Sequence, residues 1–172
     1  MKSVALDSLL KRKTAAKTAM AKELGFSKKK PLIGIFLDQE IDREELLKIL
    51  EGLKFIEAQV VILADIHEDF NGAKTLKYER ENRKSLLEAC DIALIFDFSD
   101  VEEMLLHGVI PVSSQRPEVV DYNPNRETGN SFVYRCGGPW GIFAAVVRAI
   151  ETFKFPYDWK HIVRQGITSV KP

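Results

Sequence analysis

The stretch Leu32-Ile33-Gly34-Ile35-Phe36-Leu37 decides the fold class. It contains no polar residue, so polar and apolar positions do not alternate. Such a run predicts a strand buried on both faces, as strands of a parallel sheet are. A helix is expected directly after it, because Asp42 and Glu45 have the spacing of a capping box and an amphipathic leucine pattern follows them.

Short apolar runs recur along the rest of the chain and alternate with charged segments that have helical patterns. The further predicted strands are 58–63, 91–96, 109–112 and 131–134. The other predicted helices are 14–24, 78–89, a helix capped by Ser99 and Glu102 that ends at Gly108, a helix opened by Gly138-Pro139, and 159–165, while 65–75 is predicted to be a loop. This alternation predicts an α/β fold with a Rossmann-like, doubly wound parallel sheet flanked by helices.

We expect one domain over residues 1–172. Within it, 1–30 form an N-terminal helical segment, 31–153 the Rossmann-like core, and 154–172 a C-terminal helix and tail. This length is ordinary for one hydrophobic core.

Composition excludes several classes of partner. The 25 basic residues balance the 25 acidic ones, so no overall field attracts nucleic acid or an anionic membrane. No apolar run approaches the roughly 20 residues of a membrane span, and Met1 to Leu10 is too short for a signal peptide. Two cysteines, Cys90 and Cys136, do not make a disulfide framework, so a cytoplasmic location is predicted.

Ligands of doubly wound sheets bind beyond the carboxyl ends of the strands. The loop after the first strand, 38–42, has the sequence DQEID, with three acids and neither glycine nor cation. A phosphate-binding loop needs glycines, often with Lys or Arg, and the GxGxxG and Walker patterns are absent from the chain. The loop therefore predicts repulsion of a diphosphate.

Catalytic and metal-binding patterns are weak. No nucleophile–base pair stands out, and His67, His107 and His161 are not assigned to catalysis. Asp97, Asp100 and Glu103 are an alternative metal site, but acidic residues are common in the first turn of a helix because they stabilise its N-terminus. We therefore expect neither a metal nor a cofactor. A phosphorylation pocket at Asp38, Asp65 and Asp97, which lie near three strand ends, is a further alternative, although no lysine on the fifth strand completes it.

The order of several short motifs resembles that of a known family. The motifs are 13–17 (KTAAK), 23–26 (ELGF), 31–35 (PLIGI), 90–94 (CDIAL), 103–112 (EMLLHGVIPV), 120–124 (VDYNP), 128–134 (TGNSFVY), and Trp159 with Gly166-Ile167. From about Lys11 to Ile167 the chain thereby resembles the C-terminal, nucleotide-sugar-binding domain of bacterial glycogen synthases and plant starch synthases. These are GT-B glycosyltransferases, so the resemblance implies a GT-B half-domain.

The departures from that family concern its donor site. The family holds the donor diphosphate with an Arg and a Lys after the first strand, and Glu40 stands where the Lys would fall. The loop with the first donor-binding Glu is shortened to 97–100. The resemblance implies that Glu103 corresponds to the second Glu, which touches the ribose in related enzymes. Arg116 is a candidate replacement cation, and Thr128 is a third candidate for the donor site.

A GT-B active site lies between two Rossmann-like domains, and this chain supplies one. Catalysis there depends on both halves closing around the donor. We therefore expect a degenerate, non-catalytic binding or assembly module, a pseudoenzyme with no catalytic residue of its own. The alternative is a hexosyltransferase subunit that binds ADP- or UDP-glucose and is active only with a separate N-terminal-domain protein. Expected partners are that protein or a second copy of the chain, and a nucleotide sugar or a glucan, but neither nucleic acid nor membrane.

Overall fold

A computed structural model describes residues 2–37, 42–56, 58–65, 70, 72–96, 100–135 and 138–170. Its helices are α1 (Lys2–Leu24), α2 (Arg43–Leu53), α3 (Arg80–Ala89), α4 (Val101–Leu106), α5 (Pro139–Phe153) and α6 (Pro156–Ser169). Its strands are β1 (Leu32–Leu37), β2 (Gln59–Ala64), β3 (Lys74–Lys77), β4 (Ile92–Leu94), β5 (Ile110–Ser113) and β6 (Phe132–Val133).

The strands of the described residues form one sheet in the order β3-β2-β1-β4-β5-β6, and each neighbouring pair is parallel. The chain moves outward from β1 to β3 and then returns to β4 beside β1. The predicted Rossmann-like parallel sheet is therefore confirmed. The strands end at one edge, the carboxyl edge, where ligands of such sheets bind at the point of reversal between β1 and β4. The opposite edge is the amino edge.

Each face of the sheet is covered by its own core, as the apolar β1 sequence predicts. Ile33 and Ile35 pack with α2, α5 and part of α6, while Leu32 and Phe36 pack with α3 and α4. Gly34 lets α3 approach β1 closely, because an added Cβ would lie 3.2 Å from the Cys90 sulfur. The buried Cys90 is thus a core thiol, and burial raises its pKa to about 12.

The structure corrects several element boundaries. Lys74–Lys77 forms the edge strand β3, although its first two residues were predicted to belong to a loop and no strand was predicted there. The helix α1 begins at Lys2 rather than Thr14, and α6 extends over Pro156–Ser169 rather than 159–165. Asp100, not Ser99, caps α4: its carboxylate accepts a hydrogen bond from the Glu103 N–H at 2.9 Å. Ser99 itself and Cys136 lie outside the described residues.

Candidate functional site

Glu103, the predicted ribose-contacting acid, lies in the first turn of α4 near the carboxyl edge. Its Oε2 accepts a hydrogen bond from Arg83 Nη2, and the side chains are 35% and 28% exposed. The Arg83 guanidinium lowers the pKa of Glu103, and the same bond raises the pKa of Arg83. Glu103 is therefore ionised at neutral pH, and one of its oxygens is engaged by a cation.

Arg83 is the residue of this edge that sequence reasoning missed. It lies in the first turn of α3, which begins three residues after β3 ends, and the Tyr78 side chain also hydrogen-bonds to it. The sequence predicted the helix over 78–89, but no local pattern in it connects Arg83 with Glu103, twenty residues further on. The Glu103 ion pair joins the guanidinium to α4, and the Tyr78 contact reaches it from the segment between β3 and α3.

Arg116 lies in the loop after β5, half-buried, and joins a second polar group at the same edge. Tyr134, just after β6, donates its hydroxyl to the Ile95 carbonyl at 2.9 Å and so links the ends of β6 and β4. Burial raises the pKa of Tyr134, the charge of Arg116 lowers it, and the charge of Glu45 raises it. Arg116 and Glu45 are therefore near enough to Tyr134 for their charges to act on it, and the Tyr134 hydroxyl itself lies where β4 ends.

Thr128 lies elsewhere. It is exposed, and its carbonyl accepts a hydrogen bond from the Asn123 N–H at 2.8 Å. The neighbouring Glu127 carbonyl accepts a hydrogen bond from Gln165 of α6 at 3.1 Å. The structure places Thr128 beside α6, whereas Glu103 and Arg116 lie at the carboxyl edge, after β4 and β5. Their assignment to a donor site stays a prediction.

The two loops at the point of chain reversal, 38–41 and 97–99, lie outside the described residues, as does His67. The predictions that rest on Gln39, Glu40 and Asp97 therefore have no structural outcome. Asp42 is described, and its carboxylate accepts hydrogen bonds from the N–H groups of Glu44 and Glu45 at 2.9 and 3.3 Å. The predicted N-cap of α2 is confirmed.

Other titratable groups have structural partners. The ring Nδ1 of His107 lies 2.9 Å from the Glu103 carbonyl, and the Nε2 of His161 lies 3.0 Å from Gln165 Nε2. Within the described ranges, no three His, Cys, Asp or Glu side chains are grouped so as to hold a metal ion. Over the same ranges, no helix combines the length and apolar character needed to cross a membrane.

Comparison with known proteins agrees with this geometry. No protein-family model matches the chain. A glycogen synthase of Fervidobacterium nodosum is 23% identical over 185 residues, which cover 92% of this chain and 38% of that protein. The crystal structure of Anabaena HepE in complex with UDP and glucose matches with a TM-score of 0.64 at 12% identity, covering 90% of this chain and 47% of that one.

The chain has the fold of a GT-B half-domain. Its sequence is similar to that of a glycogen synthase over nearly its whole length, so the resemblance predicted from the ordered motifs is confirmed. This glycogen synthase-like chain spans less than half the length of either protein.

Proposed function

We propose that this chain is a glycogen synthase-like half-domain that acts as a binding or assembly module and does not transfer sugar by itself. The observation that supports this most directly is the Arg83–Glu103 ion pair. Glu103 is the acid that the resemblance assigns to the donor ribose. A ribose hydroxyl would have to share this carboxylate with a guanidinium that already engages one of its oxygens, and a hydrogen bond from a neutral donor is weaker than the existing charge-assisted one.

The sequence of the loop after β1 supports the same proposal. Asp38 and Glu40 stand in it, and it contains no Lys or Arg. The diphosphate of a sugar nucleotide would therefore meet like charges where the family supplies cations. Each charge-assisted contact that is lost removes about 1.5–3 kcal/mol, so losing two of them lowers donor affinity by several orders of magnitude.

Calorimetric titration with UDP-glucose and ADP-glucose tests the proposal. We expect no saturable heat at millimolar nucleotide sugar with the wild-type chain, and the same result with Arg83→Gln. Lys84→Gln is the matched control, because Lys84 is an exposed cation of the same helix. Micromolar binding by the wild type that Lys84→Gln retains and Arg83→Gln loses would contradict the proposal and would make Arg83 a donor-binding cation.

A partner-dependent glycosyltransferase subunit is the second candidate, and one observation favours it. Trp140, in the first turn of α5, is 82% exposed and packs edge-on against Phe143 with ring centroids 6.4 Å apart. The start of α5 follows the carboxyl end of β6, on the side where a second GT-B half would close. Glucan elongation on coexpression with an N-terminal half-domain protein, lost in Trp140→Ala, would support this candidate. Absence of elongation in both would favour the module.

A further inference from the structure

A cationic cavity lies at the amino edge of the sheet, opposite the carboxyl edge where Glu103 and Arg116 lie. Its volume is about 270 Å³. Three lysines line it, Lys13, Lys17 and Lys28, but only one acid, Asp91. These side chains come from α1 and from the connections that lead into β1 and β4. The charged residues of the cavity wall thus have a formal excess of two positive charges.

Lys17 and Asp91 form an ion pair, so their opposite charges neutralise each other. The Asp91 Oδ2 accepts hydrogen bonds from Lys17 Nζ at 2.6 Å and from the Leu32 N–H at 2.8 Å, and both charged side chains are 9% exposed. The Lys17 ammonium also lies 4.7 Å from the centre of the Phe153 ring. The carboxylate of the cavity is therefore already engaged by a cation and a backbone donor.

Lys13 is buried without such a partner. The residue is 8% exposed, and within the described part of the chain its ammonium has one acceptor, the Leu87 carbonyl at a long 3.4 Å. Burial lowers the pKa of Lys13, and the charges of Asp91 and Glu88 oppose this lowering. A buried ammonium is costly unless hydrogen-bonded and paired, so a cation with unfilled N–H bonds at a cavity wall is suited to an anionic ligand.

We propose that this cavity binds a small phosphate monoester or inorganic phosphate through Lys13 and Lys28. Lys28 also lines the cavity, is exposed to solvent and supplies a second cation. Phe153 and Trp159 line the same cavity and offer apolar surface to the organic part of an ester. The site goes beyond the proposed function and does not depend on it, because none of its residues is a donor-site candidate.

Fluorescence titration tests the site. The chain has two tryptophans, Trp140 and Trp159, so Trp140→Phe leaves the cavity tryptophan as the reporter. In that variant we expect the Trp159 fluorescence to change saturably with inorganic phosphate at constant ionic strength, and not to change with chloride. Lys13→Gln should weaken binding about tenfold, as loss of one charge-assisted contact does. Lys28→Gln should weaken it less. Lys22→Gln is the matched control on α1, outside the cavity, and should leave it unchanged.

The melting temperature of a Lys13 variant and the affinity for an aromatic phosphate ester test the site further. Lys13→Met should melt no lower than wild type without phosphate, because it removes an incompletely paired buried charge. If Lys13→Gln does not fold, the exposed Lys28→Gln still reports on the site. Phenyl phosphate should bind more tightly than inorganic phosphate if the aromatic wall contributes. No saturation at millimolar phosphate, or equal weakening by Lys22→Gln, would overturn the proposal, and equal affinity for both phosphates would remove the role of Phe153 and Trp159.

Discussion

The two edges of the sheet each contain an ion pair, and the pairs differ in kind. At the amino edge, Lys17 and Asp91 are both 9% exposed, and Asp91 also accepts the Leu32 N–H, so the pair fastens α1 to β1. At the carboxyl edge, Arg83 and Glu103 are 28% and 35% exposed and join two helices near the surface. The first pair is part of the core, whereas the second lies near the surface, at the edge where ligands of such sheets bind.

The two edges also differ in how well they match the glycogen synthase family: the matching motifs include residues of the buried scaffold, whereas the departures lie at the carboxyl edge. Lys17 and Asp91 belong to two of those motifs, and Gly108, which belongs to a third, packs against Leu9 and Val163. The departures from the family lie in the loops that follow β1, β4 and β5. Sequence similarity therefore reports mainly on the scaffold here, and function has to be argued separately from the carboxyl edge.

The largest expected effect comes from breaking the buried pair. Asp91→Asn leaves the Lys17 ammonium in the core without a counter-charge, which should lower the free energy of unfolding by about 3–5 kcal/mol in urea denaturation. Asp7→Asn is the control, since Asp7 pairs with Lys160 at the surface, with side chains 48% and 45% exposed. A loss for Asp91→Asn no greater than that for Asp7→Asn would refute the structural role of the buried pair.

A smaller loss is expected at Gly129, which belongs to the motif 128–134. Its φ is +119°, and an added Cβ would lie 2.6 Å from the Tyr122 Cα, so neighbouring backbone would have to move. Gly129→Ala should lower the free energy of unfolding by about 2–4 kcal/mol. Gly25→Ala, at φ +71° with no atom within 4 Å of the new Cβ, isolates the backbone cost and should lose about 1 kcal/mol. Equal losses would show that the close packing around Gly129 is unimportant.

The smallest effect is expected at the carboxyl edge and depends on pH. The pKa of Glu103 is lower in the folded chain than its ordinary value of 4.5, so its stabilising contribution is present above that value and is lost as pH falls through the folded pKa. Because the pair is about one-third exposed, Arg83→Gln should cost only about 0.5–1 kcal/mol at neutral pH and less in acid. Urea denaturation at neutral and at acid pH measures this loss in the free energy of unfolding, with Lys84→Gln as the control. The same loss at both values would argue against an ionic contact.

The sequence predicted most of the fold because buried strands have an unmistakable composition. The runs around β1, β2, β4 and β5 are largely apolar, with polar residues such as Gln59, Asp91 and Ser113 only at their ends or next to them, and each forms a parallel strand. The strand β3, Lys74–Lys77, was missed because it lies at the edge of the sheet, where two of its residues are exposed and its sequence KTLK contains one apolar residue. Edge strands need less apolar sequence than central ones.

The candidate site was predictable only in part. Glu103 was found through the resemblance, but its partner Arg83 is twenty residues away on another helix, and no local pattern connects the two. Thr128 follows a long irregular segment whose course depends on contacts with α6, such as that of Gln165 with the Glu127 carbonyl. Propensity and spacing predict local elements, whereas these pairings arise from tertiary packing.

The most direct test of the account is an amide chemical-shift titration of the chain with UDP-glucose. The described part of the carboxyl edge provides reporters in Glu103, Ser114 and Arg116, whose amides lie in α4 and in the loop after β5. The account predicts that these signals stay in place at millimolar UDP-glucose. Saturable shifts of these amides at micromolar UDP-glucose would contradict it, because they would show a working donor site at the edge from which we infer that the nucleotide sugar is excluded.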